Sequence, residues 1–263
     1  MAAPFSRRQF LRTVALAGAG LLLPKVAYAQ ESTPRRYLRC PILMYHYIGE
    51  VPPDASTLRR DLTVTAAQLT EQIAWLRDNG YTAITLTQLA AALLDGADLP
   101  AKPIVLTFDD GYADAYEVAA PILAQGGMVG TFFLISGRMD QPGYLSWAQA
   151  AELARAGMEI GNHSATHPDL TTLDRAAQQA EIEEAALAIE AAIGARPQAF
   201  CYPLGRYTLA TVALLKETGH RVAVTTRDGT VQYGRYPYAL RRVRIRNSTT
   251  LRTFAWLVDR QAW

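Results

Sequence analysis

The chain has 263 residues, of which 50% are hydrophobic and 19% are charged, and its formal net charge is +2. This composition excludes a disordered chain, because disordered chains have too few apolar residues to form a core. The length fits one large domain or two small ones, and a barrel of alternating strands and helices often reaches this size as a single domain.

The first 29 residues have the features of an export signal. Residues 6–12 read SRRQFLR, which resembles the twin-arginine signal, and Ala27-Tyr28-Ala29 offers a cleavage site. The apolar stretch between them, residues 14–23, is too short for a membrane span. We therefore expect a twin-arginine signal peptide over residues 1–29, with an uncleaved N-terminal anchor as the alternative.

The resemblance implies transient contact with the twin-arginine export machinery and a periplasmic or extracellular location, without a membrane span in the mature form. Residues 30–263 are then a single domain. The export segment also carries four basic residues and no acidic one, so the rest of the chain has 22 Lys+Arg against 24 Asp+Glu, a net charge of −2. A chain of this charge is not expected to bind nucleic acid.

Strand-like and helix-like runs alternate through residues 30–263. Thr65 with Gln68 forms a capping box that predicts a helix ending at Asn79-Gly80, and similar signals predict helices over Ser146–Ala156, Asp174–Gly194 and Thr208–Thr218. Short apolar runs predict strands buried on both faces of a parallel sheet. These strands are Cys40–His46, Tyr81–Leu86, Pro103–Phe108, Gly130–Ile135, Met158–Gly161, Ala199–Tyr202 and Val222–Thr226.

Repeated strand–helix units predict an α/β fold with a parallel sheet or barrel. About seven strands favour a barrel-like closure, and an open, doubly wound sheet is the alternative. In either fold the functional site is expected at the carboxyl ends of the strands. Cys40 starts the first strand, roughly 20 Å from its far end at ~3.3 Å per residue, and Cys201 lies near that far end. The two cysteines are therefore predicted to be separate buried thiols rather than a disulfide.

Two adjacent carboxylates, Asp109 and Asp110, follow the predicted strand Pro103–Phe108. Like charges this close repel each other, and one pKa rises unless a cation lies between them. Side chains diverge at a strand end, so the two carboxylates can have different roles. The alternative is that one of them caps a helix starting near Tyr112.

Two of the four histidines, His163 and His167, follow the predicted strand ending at Gly161. Histidines at this spacing can bind one metal ion, and Pro168 predicts that they lie on a loop or short turn. The alternative is a pair of ordinary surface or core histidines. One carboxylate and two imidazoles would form a metal site with open positions, which leaves the second carboxylate as a candidate general base.

These motifs carry a resemblance to a known family. The runs TFDDG at 107–111 and HSxxH at 163–167 resemble the motifs of the polysaccharide deacetylases with the NodB-homology domain, carbohydrate esterase family 4. The run PILMYH at 41–46 is similar to the opening strand of many bacterial members, and FCYPLG at 200–205 matches the third motif in part. The resemblance covers roughly residues 40–246 and is closest to the deacetylases of poly-β-1,6-N-acetylglucosamine.

The resemblance implies a distorted (β/α)7 barrel and a metal-dependent hydrolase. It implies that Asp110, His163 and His167 bind a divalent metal, usually zinc, and that Asp109 is the general base. It also implies that the backbone N–H of Leu204 helps to hold the oxyanion. The partner is then an acetylated polysaccharide or oligosaccharide.

The sequence departs from the family at two places. Many members have Arg at the position of Cys201, where it positions the catalytic Asp, and cysteine cannot do so. Many members also have an Asp-Trp motif and a Leu-x-His motif near the C-terminus. The corresponding residues 222–246 contain neither Trp nor His, so the usual general acid is missing. His46 ends the first strand and is the candidate that protonates the leaving amine or orients the substrate. The alternative for His46 is a structural role, which is also predicted for His220.

The substrate-binding candidates are Tyr202, Pro203 and Trp147, since aromatic faces suit pyranose rings; core packing is the alternative for Trp147. The favoured function is removal of N-acetyl groups from a polysaccharide that contains N-acetylglucosamine, with release of acetate. One alternative is an O-acetyl esterase with the same metal site, because an ester needs less leaving-group protonation. Another is a non-catalytic carbohydrate-binding member of the family.

Overall fold

A computed structural model describes residues 36–260, and the expected signal peptide, residues 1–29, lies outside the described residues. The strands in chain order are β1 (Tyr37–Arg39), β2 (Ile42–Tyr45), β3 (Tyr47–Ile48), β4 (Thr63–Val64), β5 (Thr82–Ala83), β6 (Pro103–Phe108), β7 (Thr131–Leu134), β8 (Glu159–Asn162), β9 (Ala199–Cys201), β10 (Val222–Asp228), β11 (Val231–Tyr233) and β12 (Leu240–Arg244).

The helices lie between and after the strands. They are α1 (Thr57–Leu62), α2 (Ala66–Asp78), α3 (Leu86–Ala90), α4 (Ala120–Gln125), α5 (Trp147–Arg155), α6 (Arg175–Ile193), α7 (Leu209–Glu217) and α8 (Leu251–Asp259). Wider helical turns at Ala91–Asp95 and Ala115–Ala119 extend α3 and precede α4. None of the helices between residues 36 and 260 is long and apolar enough to cross a membrane.

Seven strands form a closed parallel barrel. Their order is β2–β12–β10–β9–β8–β7–β6, and β6 pairs again with β2 to close the ring. All of these pairings are parallel. The predicted seven-stranded barrel is therefore confirmed, and the alternative of an open, doubly wound sheet is wrong.

One predicted strand is not among the seven strands of the barrel, and one strand of the barrel was not predicted. The run Tyr81–Leu86 contains only the two-residue strand β5, which pairs with the first residues of β6, because Thr85 caps helix α3 and ends the strand. The seventh barrel strand is β12 instead. Its sequence, LRRVR, does not form an apolar run, and sequence periodicity alone does not identify it.

The helix signals are confirmed. Thr65 and Gln68 form a capping box at the start of α2, and Asn79 is its C-cap. Ser146, Asp174 and Thr208 are the N-caps of α5, α6 and α7. These caps satisfy backbone N–H groups that have no partner inside the helix. The helices therefore begin at positions that their sequences specify locally.

The barrel strands are buried on both faces. Every residue of β2, β6, β7 and β9 is buried, as expected for a parallel sheet covered by helices. Leu43 and Leu106 pack in a cluster with helical residues such as Leu69, whereas Val105 and Cys201 pack in a second cluster. Cys201 and Cys40 are both buried and unpaired, which confirms the prediction of separate thiols.

Candidate active site

The two adjacent carboxylates lie at the carboxyl end of β6. The Asp109 N–H donates to the carbonyl of Tyr45, which continues the pairing of β6 with β2. Asp110 and Gly111 both have positive φ angles, 76° and 75°, so the chain turns sharply after Asp109. Neither carboxylate caps the helical segment that starts at Ala113, since the N–H groups of Ala113 and Ala115 donate to the carbonyls of Gly143 and Tyr112. The helix-capping alternative is therefore wrong.

The two histidines lie on the loop after β8, as the sequence predicts. The His163 Nδ1 is 2.7 Å from the carbonyl oxygen of Cys201, and a carbonyl only accepts, so Nδ1 carries a proton and Nε2 is the nitrogen that can bind a metal. This Nε2 is 3.3 Å from Asp110 Oδ1, and His167 Nε2 is 3.7 Å from the same oxygen. One ligand atom from each residue lies within 4.8 Å of the others. The three side chains can therefore hold one metal ion.

Hydrogen bonds from neighbouring elements fix the histidine loop. The Asn162 side chain accepts from the Ser164 N–H at 2.8 Å and donates to the Ile182 carbonyl at 2.9 Å. His220 is buried, with its Nε2 3.2 Å from the Asn162 amide nitrogen. Glu181 accepts from both the N–H and the hydroxyl of Thr166. His220 thus supports the loop from behind rather than facing the cleft.

Arg242 is the functional residue that the sequence analysis missed. Its guanidinium donates to Asp109 Oδ1 at 2.7 Å and to Oδ2 at 2.8 Å. The side chains of Arg242 and Asp109 are only 1% and 3% exposed. Burial alone would raise the pKa of Asp109, but the charge and hydrogen bonds of Arg242 outweigh it and hold this pKa well below its usual range. Asp109 is therefore an ionised, oriented carboxylate.

Arg242 explains how the chain does without an arginine at position 201. The Cys201 Sγ lies 3.3 Å from the Arg242 guanidinium and 3.7 Å from Asp109 Oδ2, so both residues reach the same carboxylate. The arginine comes from β12, whereas Cys201 ends β9. The only sequence signal was the run LRR at 240–242, inside the stretch 222–246 where the usual general acid is missing.

Asp109, His163 and Cys201 form a second group with metal-ligand spacing. Each member is already engaged: Asp109 by Arg242, and His163 Nδ1 by the Cys201 carbonyl. Burial raises the pKa of the Cys201 thiol, which disfavours the thiolate that binds metals. The group of Asp110, His163 and His167 is the better metal site.

His46 follows β2 and faces this site. Its Nε2 lies 3.9 Å from Asp109 Oδ2, and its buried Nδ1 has no hydrogen-bond partner among the described residues. Burial lowers the pKa of His46, although Asp109 and Asp110 oppose this effect. The imidazole can therefore exchange a proton with a group bound beside Asp109.

The cleft around these residues has a volume of about 440 Å³. Leu204 lies on its edge, 55% exposed and with φ of 58°, and Tyr202 lies beneath it, only 1% exposed. Pro203 and Trp147 are not among the residues that line the cleft, and their role in substrate binding stays a prediction. Pro203 is buried at the start of a tight turn, and Trp147 packs against the main core.

An aromatic wall on the opposite side of the cleft was not predicted. The rings of Tyr47 and Tyr112 stack with centroids 3.9 Å apart, and the Arg59 guanidinium lies 3.1 Å above the Tyr47 ring. All three residues line the cleft. They place two aromatic rings, packed against each other and against a cation, next to the candidate metal site.

Several known proteins are similar to this chain in sequence. The family model described as "Polysaccharide deacetylase" matches residues 96–223. The YxkH protein of Bacillus subtilis (strain 168), whose name assigns it to the polysaccharide deacetylases, is 31% identical over 207 residues, which cover 79% of this chain and 71% of that protein. The poly-β-1,6-N-acetyl-D-glucosamine N-deacetylase of Escherichia coli (strain K12) is 25% identical over 245 residues, covering 77% of this chain and 36% of that protein.

Solved structures agree with these matches. The Streptococcus pyogenes deacetylase PplD, solved in complex with acetate, superposes with a TM-score of 0.80 and 26% identity, over 86% of this chain and 100% of that chain. The polysaccharide deacetylase BC0361 from Bacillus cereus superposes with a TM-score of 0.75 and 27% identity, over 85% of this chain and 70% of that chain. The family match at 96–223 includes the paired carboxylates and the histidine loop, but neither His46 nor Arg242.

Proposed function

The chain belongs to the polysaccharide deacetylase family, and from that premise we propose that it removes N-acetyl groups from a polysaccharide containing N-acetylglucosamine. The observation that carries the proposal is the arrangement of one cleft. An ionised, buried Asp109 lies there beside a three-residue metal site and His46. Hydrolysis of an amide requires a base, an electrophile and an acid, and this cleft offers residues for each task.

Asp110, His163 and His167 would hold a divalent metal, and zinc fits the donor set of two imidazoles and one carboxylate. The hydrogen bond from the His163 Nδ1 to the Cys201 carbonyl supports this assignment, because it orients the ring with its Nε2 toward Asp110. A bound metal supplies Lewis acidity that polarises a carbonyl oxygen and acidifies water.

Asp109 is proposed as the general base. It accepts a proton from the attacking water as the new C–O bond forms at the acetyl carbonyl carbon. The Leu204 N–H then donates a hydrogen bond to the oxyanion of the tetrahedral intermediate. When the C–N bond breaks, His46 relays the proton taken up by Asp109 to the amine leaving group, and acetate and a glucosamine unit are released.

His46 bears on the choice between an N-deacetylase and an O-acetyl esterase. An amide nitrogen must be protonated to leave, whereas an ester oxygen needs less help. The 3.9 Å distance from His46 Nε2 to Asp109 Oδ2 puts a group that can relay a proton next to the proposed base. This position favours the N-acetyl substrate over the ester.

The test is acetate release from β-1,4- and β-1,6-linked N-acetylglucosamine hexamers by the purified full chain, beside an O-acetylated xylo-oligosaccharide. Release from at least one hexamer, lost in Asp109→Asn, is the expected result. Release from the ester alone would replace the proposal with an O-acetyl esterase. No release from any substrate by the metal-loaded protein would favour a non-catalytic carbohydrate-binding role.

We also propose that the twin-arginine signal directs export to the periplasm or cell exterior, on the strength of residues 6–12, SRRQFLR. Fractionation of cells that express the full chain tests this proposal. The exported fraction should disappear in Arg7→Lys/Arg8→Lys. Unchanged export of this variant would contradict the proposed route.

A further inference from the structure

A second cavity, the flank groove, lies on the side of the barrel between helix α7 and the segment 231–241. Its volume is about 670 Å³, larger than that of the candidate active site. Four tyrosines contribute to its walls, and no Asp or Glu does so among residues 36–260. The tyrosines are Tyr207, Tyr233, Tyr236 and Tyr238.

Four cationic side chains also line the groove: Lys216, Arg227, Arg235 and Arg241. All four are exposed, and none forms an ion pair with a carboxylate in the described part of the chain. This concentration of positive charge is local, because the chain without its export segment has a net charge of −2.

Aromatic rings hold three of these cations in place. The Arg235 guanidinium lies 4.6 Å from the Tyr236 ring centroid, the Arg227 guanidinium 5.8 Å from that of Tyr207, and the Lys216 ammonium 5.5 Å from that of Tyr238. A cation held over a ring face keeps its N–H donors free for an anion. The groove therefore offers hydrogen-bond donors without carboxylate partners beside exposed aromatic rings.

The flank groove starts next to the active-site cleft. Arg227 directly follows Thr226, which lines the cleft. The Tyr207 ring stacks on Tyr202, with centroids 4.5 Å apart, and Tyr202 also lines the cleft. From Leu209 the groove follows α7 to Lys216, roughly 10 Å at 1.5 Å per residue. The two cavities share no lining residue, but their walls are neighbours at this end, so a chain-like ligand that leaves the cleft past Tyr207 would reach the flank groove.

We propose that the flank groove binds an acidic stretch of the same polysaccharide, with sugar units that carry carboxylate or phosphate groups. The exposed rings of Tyr233 and Tyr236 would contact the sugar rings, and the arginine and lysine side chains would bind the anionic groups. This inference rests on the proposed function, since it assumes that the substrate in the cleft is a glycan. It adds that the natural polymer is anionic and is held at a distance from the reacting acetyl group.

The test is a binding measurement on the purified full chain with three glycan probes: hexagalacturonate for carboxylate, phosphorylated mannohexaose for phosphate, and neutral chitohexaose. The variant Arg227→Gln/Arg235→Gln removes two groove charges, and Arg77→Gln/Arg155→Gln removes two exposed charges outside the groove. At least one acidic probe should bind the wild type and the control variant equally, and the groove variant roughly tenfold more weakly. Which acidic probe binds identifies the anionic group.

Two variants of Tyr236 test recognition of the sugar itself. Tyr236→Ala should weaken binding of the acidic probe several-fold, and Tyr236→Phe, which keeps the ring, should not. The proposal is overturned if the groove variant binds both acidic probes as tightly as the control variant. It is also overturned if inorganic tripolyphosphate binds as tightly as the acidic glycans, because the groove would then recognise charge alone.

Acetate release from chitohexaose, measured separately, distinguishes the two proposals. Release by the wild type without binding of any acidic probe would support the proposed deacetylase function and reject the proposal that the flank groove binds an acidic glycan. Binding of an acidic probe without release from any oligomer would support the groove and reject the proposed reaction.

Discussion

Arg242 on β12 donates a hydrogen bond to each carboxylate oxygen of Asp109, at 2.7 and 2.8 Å, and both side chains are buried. β12 and β6 flank β2 in the barrel, so this pair connects strands that are far apart in the sequence. A buried carboxylate remains ionised only when a partner offsets the loss of hydration. Arg242 has this effect on the proposed general base.

Replacing Arg242 should therefore alter the pH profile as well as the rate. Without the guanidinium the pKa of Asp109 rises, so a smaller fraction of Asp109 is ionised at acidic pH, and the acid limb of kcat/KM moves to higher pH. Arg242→Gln should show this shift and lose about 3–5 kcal/mol of stability, because it leaves a buried charge unpaired. Arg242→Lys should recover part of both losses. An unchanged acid limb in an active Arg242→Gln would contradict the positioning role.

An arginine supplied from β9 should partly replace the one on β12. The Cys201 Sγ is 3.7 Å from Asp109 Oδ2, so an arginine at 201 can reach the carboxylate once the Arg242 side chain is shortened. Cys201→Arg/Arg242→Gln should be more active and more stable than Arg242→Gln alone. Cys201→Arg by itself should be destabilised, since it buries two guanidinium groups together. Activity assays and thermal unfolding of the three variants check this prediction, and a double variant no better than Arg242→Gln would contradict it.

His46→Gln should affect N-acetyl and O-acetyl substrates to different degrees. If His46 protonates the leaving amine, the variant should lose roughly 10²–10⁴-fold in kcat on an N-acetyl oligomer. The loss on an O-acetyl substrate should be much smaller, because the leaving oxygen needs less protonation. Equal losses on both substrates would assign His46 to substrate positioning. Turnover unchanged on the N-acetyl oligomer would reject the acid role.

Asp114 should make the fold less stable as the pH rises. Burial raises the pKa of Asp114 to about 6, and its Oδ1 has no hydrogen-bond partner in the described part of the chain. Because the folded-state pKa lies above the unfolded one, ionisation between about pH 4 and pH 6 destabilises the folded state. Asp114→Asn should therefore be more stable than wild type by about 1–3 kcal/mol at pH 8, with the difference disappearing near pH 4.

Chemical unfolding at the two pH values measures this difference. Asp54→Asn is the matched control, since Asp54 is exposed on the surface. The control should show only a small difference from wild type, because Asp54 is exposed. A stabilisation of Asp114→Asn that persists unchanged at pH 4 would mean that the cause is not the buried charge.

Local sequence signals predicted much of the fold. β6 occupies the predicted residues Pro103–Phe108, and the caps at Thr65 and Asp174 begin helices where expected. These features depend on neighbouring residues in the chain. Strand β12 was missed because its arginines alternate between an exposed and a buried position, a pattern that sequence alone does not separate from a surface segment.

The site was predicted unevenly for the same reason. The paired carboxylates and the histidine loop lie within short motifs, and the structure brings Asp110, His163 and His167 together. The contact between Arg242 and Asp109 spans 133 positions, and only the closed barrel creates it. Exposure also depends on tertiary packing, which is why Trp147 and Pro203 were placed in the cleft although neither lines it.

The most direct test of the account is whether Asp110, His163 and His167 hold a metal that acetate release requires. The full chain would be stripped with a chelator and titrated with Zn²⁺, with acetate release from an N-acetylglucosamine hexamer followed in parallel. One equivalent of Zn²⁺ should bind and restore release, and His167→Gln, at a partly exposed position, should lose both. Full release by the stripped protein, or unchanged Zn²⁺ affinity in His167→Gln, would contradict the account.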